Sequence, residues 1–334
     1  MISILDSSEG SHGGPTLAER MHLAFSTDGR LAASPQFEYR PQQQRMAQLV
    51  AGALEKNRPL IVEAATGVGK SLAYLLPAAT FALEQKRKAI ICTHTINLQE
   101  QLVHKDIPIV KKLVGDFHAA LLKGRNNYLC PTGLKSAFSQ TGDLFSSSEA
   151  AELQLIEEWH RENPTATLSE MDFTPGARLW SMVRSEPHAC TPRRCPPGSG
   201  CVYQDVRRRM AAADVLVLNH TLFFTLLASA EETLAEDANF IFPRDFVVLD
   251  EAHTIENIAA QAFGIHISES NIRFELGRLY NPKTRKGFFA SVGDSDAIRD
   301  VVQAITMTES FFRSAESRCK FTGTYAKEFR IREP

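Results

Sequence analysis

The chain has 334 residues, 43% of them apolar and 23% charged, the composition of a soluble globular protein long enough to bury a sizeable core. Its formal net charge of −2 excludes wholesale attraction to polyanions, so any contact with nucleic acid has to come from local patches. Residues 1–9 carry neither a basic region nor a long apolar stretch, and the apolar run 215–230 is interrupted by Asn219 and His220, so neither a signal peptide nor a membrane span is predicted. Six cysteines without secretion signals point to thiols or metal ligands in a reducing compartment, and the expected location is the cytoplasm.

In chain order, residues 1–36 are rich in glycine, serine and polar residues and read as a loosely attached extension. A helical pattern starts near Pro41 and continues through Met46, Leu49, Val50 and Leu54. Residues 59–64 form a short apolar run that predicts a buried strand, and 71–84 predicts a helix. Residues 88–93 predict a second strand, followed by a helix over 97–114. This strand–loop–helix–strand–helix order implies a parallel α/β sheet. From 126 to 200 the chain turns polar and helical and holds four of the six cysteines; strands are expected again at 213–219 and 245–250. After about residue 267 the pattern is helical and amphipathic.

Two motifs carry nucleotide chemistry. Between the first expected strand and its helix lies Glu63-Ala-Ala-Thr-Gly-Val-Gly-Lys-Ser71. A loop there lets the backbone N–H groups of Ala65, Thr66, Gly67, Val68 and Gly69 surround phosphate oxygens, with the helix N-terminus adding a favourable partial charge. Lys70 would reach the outer phosphates and the Ser71 hydroxyl would ligate Mg²⁺. Ala64 stands where this motif usually has its first glycine. The second motif is Asp250-Glu-Ala-His253, after the apolar run Val247-Val-Leu249. Asp250 would hold Mg²⁺ through its water shell, and Glu251 would orient and deprotonate an attacking water. The plainer readings are a glycine-rich turn and two acids capping a helix.

Asp250-Glu-Ala-His253 resembles the signature of superfamily 2 helicases of the DEAH kind, in which the histidine, here His253, belongs to the nucleotide site. Phe37-Glu-Tyr-Arg-Pro-Gln-Gln-Gln-Arg-Met46 resembles the glutamine motif of these motors, which reads the adenine edge. Arg40 and Gln43 fit its spacing best, with Gln42 and Gln44 leaving the register open.

Cys190, Cys195 and Cys201 stand in a compact loop rich in proline and glycine, and Cys130 lies 59 intervening residues upstream. Four thiolates suit either tetrahedral Zn²⁺ or a [4Fe–4S] cube, and spacing does not separate the two. His188 is a candidate substitute ligand, Cys92 reads as core, and Cys319 has no visible partner. The order of phosphate loop, single cysteine, Cys-x₄-Cys-x₅-Cys and Asp-Glu-Ala-His resembles the DinG/YoaA branch of the XPD-like helicases. Thr93-His-Thr95 with Ile96 to Leu102 resembles the strand-contacting motif Ia, and Asp214 to His220 an Asn-His element.

The resemblance implies a RecA-like first helicase domain, with a parallel sheet, over 37–125 and 203–266. It also implies an iron–sulfur insertion over 126–202 and the start of a helical Arch insertion over 267–334. Its further implications are ATP, Mg²⁺ and a [4Fe–4S] cluster on Cys130, Cys190, Cys195 and Cys201, with 5′→3′ unwinding of DNA in repair or replication. Implied partners are single-stranded or forked DNA, a single-strand-binding protein, and a second RecA-like domain in a longer protein or in trans. That second domain would supply arginine fingers worth about 10³ to 10⁵ in turnover. Without it the chain is expected to bind nucleotide and hydrolyse it poorly. A non-catalytic module for nucleotide and single-stranded DNA is the other class of function left open.

Six arginines and two acids lie between Arg184 and Arg209, a local basic stretch within a near-neutral chain. Arg193, Arg194 and Arg207 to Arg209 are candidate phosphate contacts. Thr93 and Thr95 would meet the strand backbone by resemblance. Tyr128, Tyr203, Phe223 and Phe224 are candidate stacking surfaces for unpaired bases.

Overall fold

The computed structural model describes residues 14–34, 37–139, 147–163, 167–186, 190, 193–232, 245–265 and 267–319. The chain divides into two compact units, residues 1–263 and 264–334.

The first unit is built on a parallel sheet of four strands among the described residues, in the order β2-β3-β1-β4. Strand β1 is Ala89–Thr93, β2 Ala119–Leu121, β3 Val215–Asn219 and β4 Phe246–Leu249. Register pairs Thr93 with Asn219 and Cys92 with Leu249, so the three longer strands end at one level. Strands β1 and β3 are continuous apolar runs because helices and the thiol-bearing segment cover both faces, leaving Ile90, Ile91, Leu216 and Val217 fully buried.

One face carries α1 (Leu17–Ala24), α2 (Pro41–Glu55), α3 (Lys70–Gln85) and α5 (Ile107–Val114), whose buried side chains pack with Ile91, Val215 and Val217. Between α4 (Ile96–Gln101) and α5 the helix widens into a π turn over Leu102–Asp106, where the sequence suggested one uninterrupted helix. The 126–202 stretch contains α6 (Pro131–Ser139), α7 (Ser147–Glu162) and α8 (Ala177–Val183). These helices share a small core of Leu129, Leu134, Leu153, Ile156, Leu179, Trp180 and Val183. Helix α9 (Val202–Ala211) leads into β3, α10 (His220–Glu232) follows it, and α11 (Ile255–Phe263) follows β4.

The second unit holds α12 (Glu269–Leu279), α13 (Phe288–Val292) and the long α14 (Ser295–Arg318), with Arg273 Nη1 2.6 Å from Glu309 Oε1. Among the described residues no helix is long and apolar enough to cross a membrane.

Three expectations need correction. Residues 59–64 form no strand: Ile61 is 97% exposed, and the run has no ladder partner among the described residues. An apolar run becomes a strand only when a neighbour accepts its hydrogen bonds. Within the extension, residues 14–34 are firmly docked. A capping box between Thr16 and Glu19 starts α1, and Leu17, Met21, Phe25 and Leu31 are buried in the main core. The three-residue strand β2 was not foreseen. Residues 1–13, His188 and 320–334 lie outside the described residues.

Candidate nucleotide site and thiol cluster

The phosphate-loop motif and the acidic motif meet at the C-terminal end of the sheet. Gly67 and Gly69 have φ of 82° and 84°, a left-handed backbone that a β-carbon would strain, and helix α3 starts immediately after at Lys70. This geometry turns the loop sharply back over the helix N-terminus. Lys70 Nζ lies 3.6 Å from Glu251 Oε1 and 3.4 Å from the Ala64 carbonyl. The lysine is thus held between the loop and the acids.

The acidic side is set by the sheet. The Asp250 N–H donates to the Cys92 carbonyl at 2.8 Å, continuing the β1–β4 ladder by one step. The chain then breaks at Glu251, which has φ of 54° and donates its N–H to Asp250 Oδ1 at 3.1 Å. Burial holds the Asp250 carboxyl above the usual range, partly offset by a hydrogen bond from the Tyr74 hydroxyl at 3.2 Å. His253 Nδ1 is 3.5 Å from Glu251 Oε2. Behind this turn, His220 is fully buried with Nδ1 3.1 Å from Thr254 Oγ1.

Arg40 and Gln43 both reach the loop. Arg40 Nη1 donates to the Gly67 carbonyl at 2.7 Å, and Gln43 Nε2 donates to the Gly69 carbonyl at 2.9 Å. Gln43 is 5% exposed, so its amide braces the loop from beneath. Gln44 is tied to the His22 carbonyl and Tyr39, and Gln42 is exposed. Ala65, Thr66 and Gly67 are exposed on the loop, while Val68 and Ser71 are half-buried.

The four cysteines of the motif are all buried and belong to one apolar cluster with Tyr128, Val202, Tyr203 and Val206. The Cys190 Sγ is 3.9 Å from that of Cys130, and Cys201 makes thiol contacts with Cys190 and Cys195. The Gly133 N–H donates to the Cys130 sulfur at 3.3 Å. Hydrogen bonds from Cys130 and Cys201 hold the Cys190 thiol well below its ordinary range, and the same contacts push Cys130 and Cys201 up. Among the described residues, no three histidine, cysteine or acidic side chains close around a common ion-sized point. The chain has thus gathered the donors in linked pairs.

Several proposed DNA contacts are placed differently from expectation. Thr93 is fully buried at the end of β1, with its hydroxyl facing inward, so it offers nothing to a passing strand. Tyr203 is 9% exposed, tilted against Tyr128 with ring centres 5.6 Å apart, and covered by the Arg125 guanidinium 4.5 Å from its ring centre. Tyr128, Phe223 and Phe224 are likewise core, so these aromatics are not open stacking surfaces. Thr95 is exposed, and its side chain caps α4 by accepting from Leu98 N–H. Arg193 and Arg194 are exposed on the loop between Cys190 and Cys195.

Comparison with known proteins agrees with this layout. The DEAD/DEAH box helicase pattern matches residues 40–129, and the DEAD_2 pattern matches 195–272. The ATP-dependent DNA helicase YoaA of Escherichia coli is 37% identical over 251 residues. The chain belongs to the DEAD/DEAH-box helicase family. Other relatives in this helicase family include the ATP-dependent helicase DinG of Mycobacterium tuberculosis, 32% identical over 281 residues, and the ATP-dependent DNA helicase DinG of Escherichia coli, 30% identical over 245. The matches take in 74%, 77% and 68% of this chain but only 38%, 41% and 33% of those three helicases, respectively.

Two contacts of the helicase-family chain were not foreseen from sequence. One is Tyr74 on Asp250. The other is Lys123, 2% exposed, whose Nζ donates to Glu100 Oε1 at 2.8 Å, Thr167 Oγ1 at 3.0 Å and Ser169 Oγ at 2.5 Å. A lysine one residue before a glycine carries no sequence signal of burial.

Proposed function

We propose that this chain is the ATP-binding first motor domain of an ATP-dependent DNA helicase that couples hydrolysis to 5′→3′ movement on single-stranded DNA. The observation that carries the reading is the approach of Lys70 to Glu251, with Asp250 beside them at the end of a parallel sheet. Ligands of open α/β sheets bind in the crevice beyond the carboxyl ends of the strands.

Each residue then has a task. Backbone N–H groups from Ala65 to Gly69 accommodate phosphate oxygens at the start of α3. Lys70, paired with Glu251 in this structure, transfers its charge to the outer phosphates when nucleotide binds. That exchange frees Glu251 to orient a water and take its proton. Ser71 and Asp250 would hold Mg²⁺, which would neutralise charge on the outer phosphates. His253, beside Glu251, restrains that carboxylate. Arg40 and Gln43 fix the loop from below through its Gly67 and Gly69 carbonyls.

The four buried thiols fit a thiolate-held group. The donor set of Cys130, Cys190, Cys195 and Cys201 and the N–H donated to sulfur at Gly133 are the chemistry of a [4Fe–4S] site. When bound, the cluster would cross-link Cys130 to the loop of the other three. DNA is the proposed substrate, contacted at Thr95, Arg193 and Arg194. A second RecA-like domain, a single-strand-binding protein and a place in DNA repair or replication complete the proposal.

The test is ATP turnover of the chain with a second motor domain, with and without single-stranded DNA. Stimulation by DNA, lost in Arg193→Glu/Arg194→Glu while nucleotide still binds, is expected. Nucleotide binding with no stimulation under any condition would favour the non-catalytic module instead.

A further inference from the structure

Tyr74 lies one turn into α3, 2% exposed, yet its hydroxyl reaches the acidic side of the nucleotide site. It donates to Asp250 Oδ2 at 3.2 Å. Ser71 and Tyr74 are three residues apart on α3, so their side chains share one face of that helix. Asp250 stands 176 residues later, beyond β4. The phenol therefore ties the carboxylate half of the proposed Mg²⁺ site to the helix that carries the hydroxyl half.

We infer that Tyr74 is a positioning residue that sets the rotamer of the Asp250 carboxylate relative to α3, the helix that carries the Ser71 hydroxyl, and so tunes Mg²⁺ affinity in the presence of nucleotide. The inference rests on the proposed Mg²⁺–ATP site. An aspartate after a strand end rotates about two torsions, and its neighbour Glu251 is fixed by a left-handed turn that does not restrain it. The hydrogen bond from Tyr74 selects the rotamer in which Oδ2 faces α3, leaving Oδ1 to the Glu251 N–H. Both carboxylate oxygens are then directed before any cation arrives. Such preorganisation converts into affinity because less freedom is lost on binding. A phenylalanine would fill the same volume without the donor, so the packing of α3 against the sheet separates cleanly from the positioning role.

The experiment compares dissociation constants of ADP with excess Mg²⁺ and with chelator, for the wild-type chain, Tyr74→Phe, Asp250→Ala and both together. Loss of one hydrogen bond of ordinary net strength should lower the Mg²⁺-dependent gain in affinity about fivefold to tenfold in Tyr74→Phe. Affinity in chelator should be unchanged, and Tyr74→Phe should add nothing in the Asp250→Ala background. A wild-type Mg²⁺ gain in Tyr74→Phe, or an equal loss with and without Mg²⁺, overturns the inference. No Mg²⁺ gain in the wild type overturns the nucleotide-site reading itself and this inference with it. Should Tyr74→Phe fold poorly, infrared spectra of wild-type protein labelled in tyrosine decide the point. The phenol C–O band must shift when Mg²⁺–ADP binds and stay still in Asp250→Ala; no shift in the wild type refutes the role.

Discussion

Substituting Lys123 by methionine should loosen the 126–202 segment from the sheet without emptying the nucleotide site. The ammonium is 2% exposed and holds Glu100 on α4 together with Thr167 and Ser169. Removing one partner of a buried pair costs about 3 to 5 kcal/mol, because the other charge is stranded. Here Glu100 keeps 28% of its side chain in water and can rehydrate, so the expected loss falls to about 2 to 3 kcal/mol. Burial pushes the Glu100 carboxyl up, but hydrogen bonds from Lys123 and Ser169 outweigh it and leave the group below its ordinary value. A depressed carboxylate stabilises the fold above its unfolded value and loses that contribution as pH falls through the folded one. The acid sensitivity should therefore shrink in the variant. Both tryptophans, Trp159 and Trp180, sit in this segment, so urea unfolding followed by tryptophan fluorescence reads it directly. Glu100→Gln added to Lys123→Met should recover part of the loss. A cost below about 1 kcal/mol, or an unaltered pH profile, would refute the idea that this lysine is the joint.

Two further outcomes follow from buried groups elsewhere. Asp106 ends the π turn 8% exposed with one carboxylate oxygen unpartnered, and burial raises its pKa. A raised acid costs stability once pH exceeds its unfolded value, so Asp106→Asn should gain about 1 kcal/mol at neutral pH. That gain should shrink as pH falls through the raised value and vanish below about pH 3, where both states are protonated; thermal melts across this range would show it, and an unchanged difference would contradict it. Cys190→Ser should abolish iron and labile sulfide in anaerobically purified protein, while Cys92→Ser keeps both. Metal analysis finding zinc in place of iron would reassign the thiols to a zinc site.

Strands β1 and β3 were legible because parallel strands buried on both faces must be short continuous apolar runs, and the half-buried edge strand β4 carries the same kind of run. Residues 59–64 are a similar apolar run but have no ladder partner among the described residues, which no local pattern reveals. Leu17, Met21, Phe25 and Leu31 did carry a recurrent apolar spacing within polar surroundings, a signal outweighed by the glycine and serine around it. Lys70 at a helix start behind a glycine loop, and Asp250 and Glu251 beyond β4, could be named as candidates because phosphate and metal chemistry call for those residue types in such places. Their supports could not. Tyr74 reads as a helix core residue and Gln43 as one of three glutamines, and only packing shows what each amide or hydroxyl meets. Thr93 illustrates the opposite failure: likeness to a motif suggested contact with DNA, while the strand's own register turns the hydroxyl inward.

Titration calorimetry of Mg²⁺–ATP against the wild-type chain, Lys70→Ala and Asp250→Ala bears most directly on whether the phosphate loop and the acidic turn serve one ligand. One saturable site that weakens at least about tenfold in either variant, with the double variant losing less than the two losses combined, is the expected result. Binding that ignores both substitutions, or losses that simply add as for independent sites, would contradict the shared site.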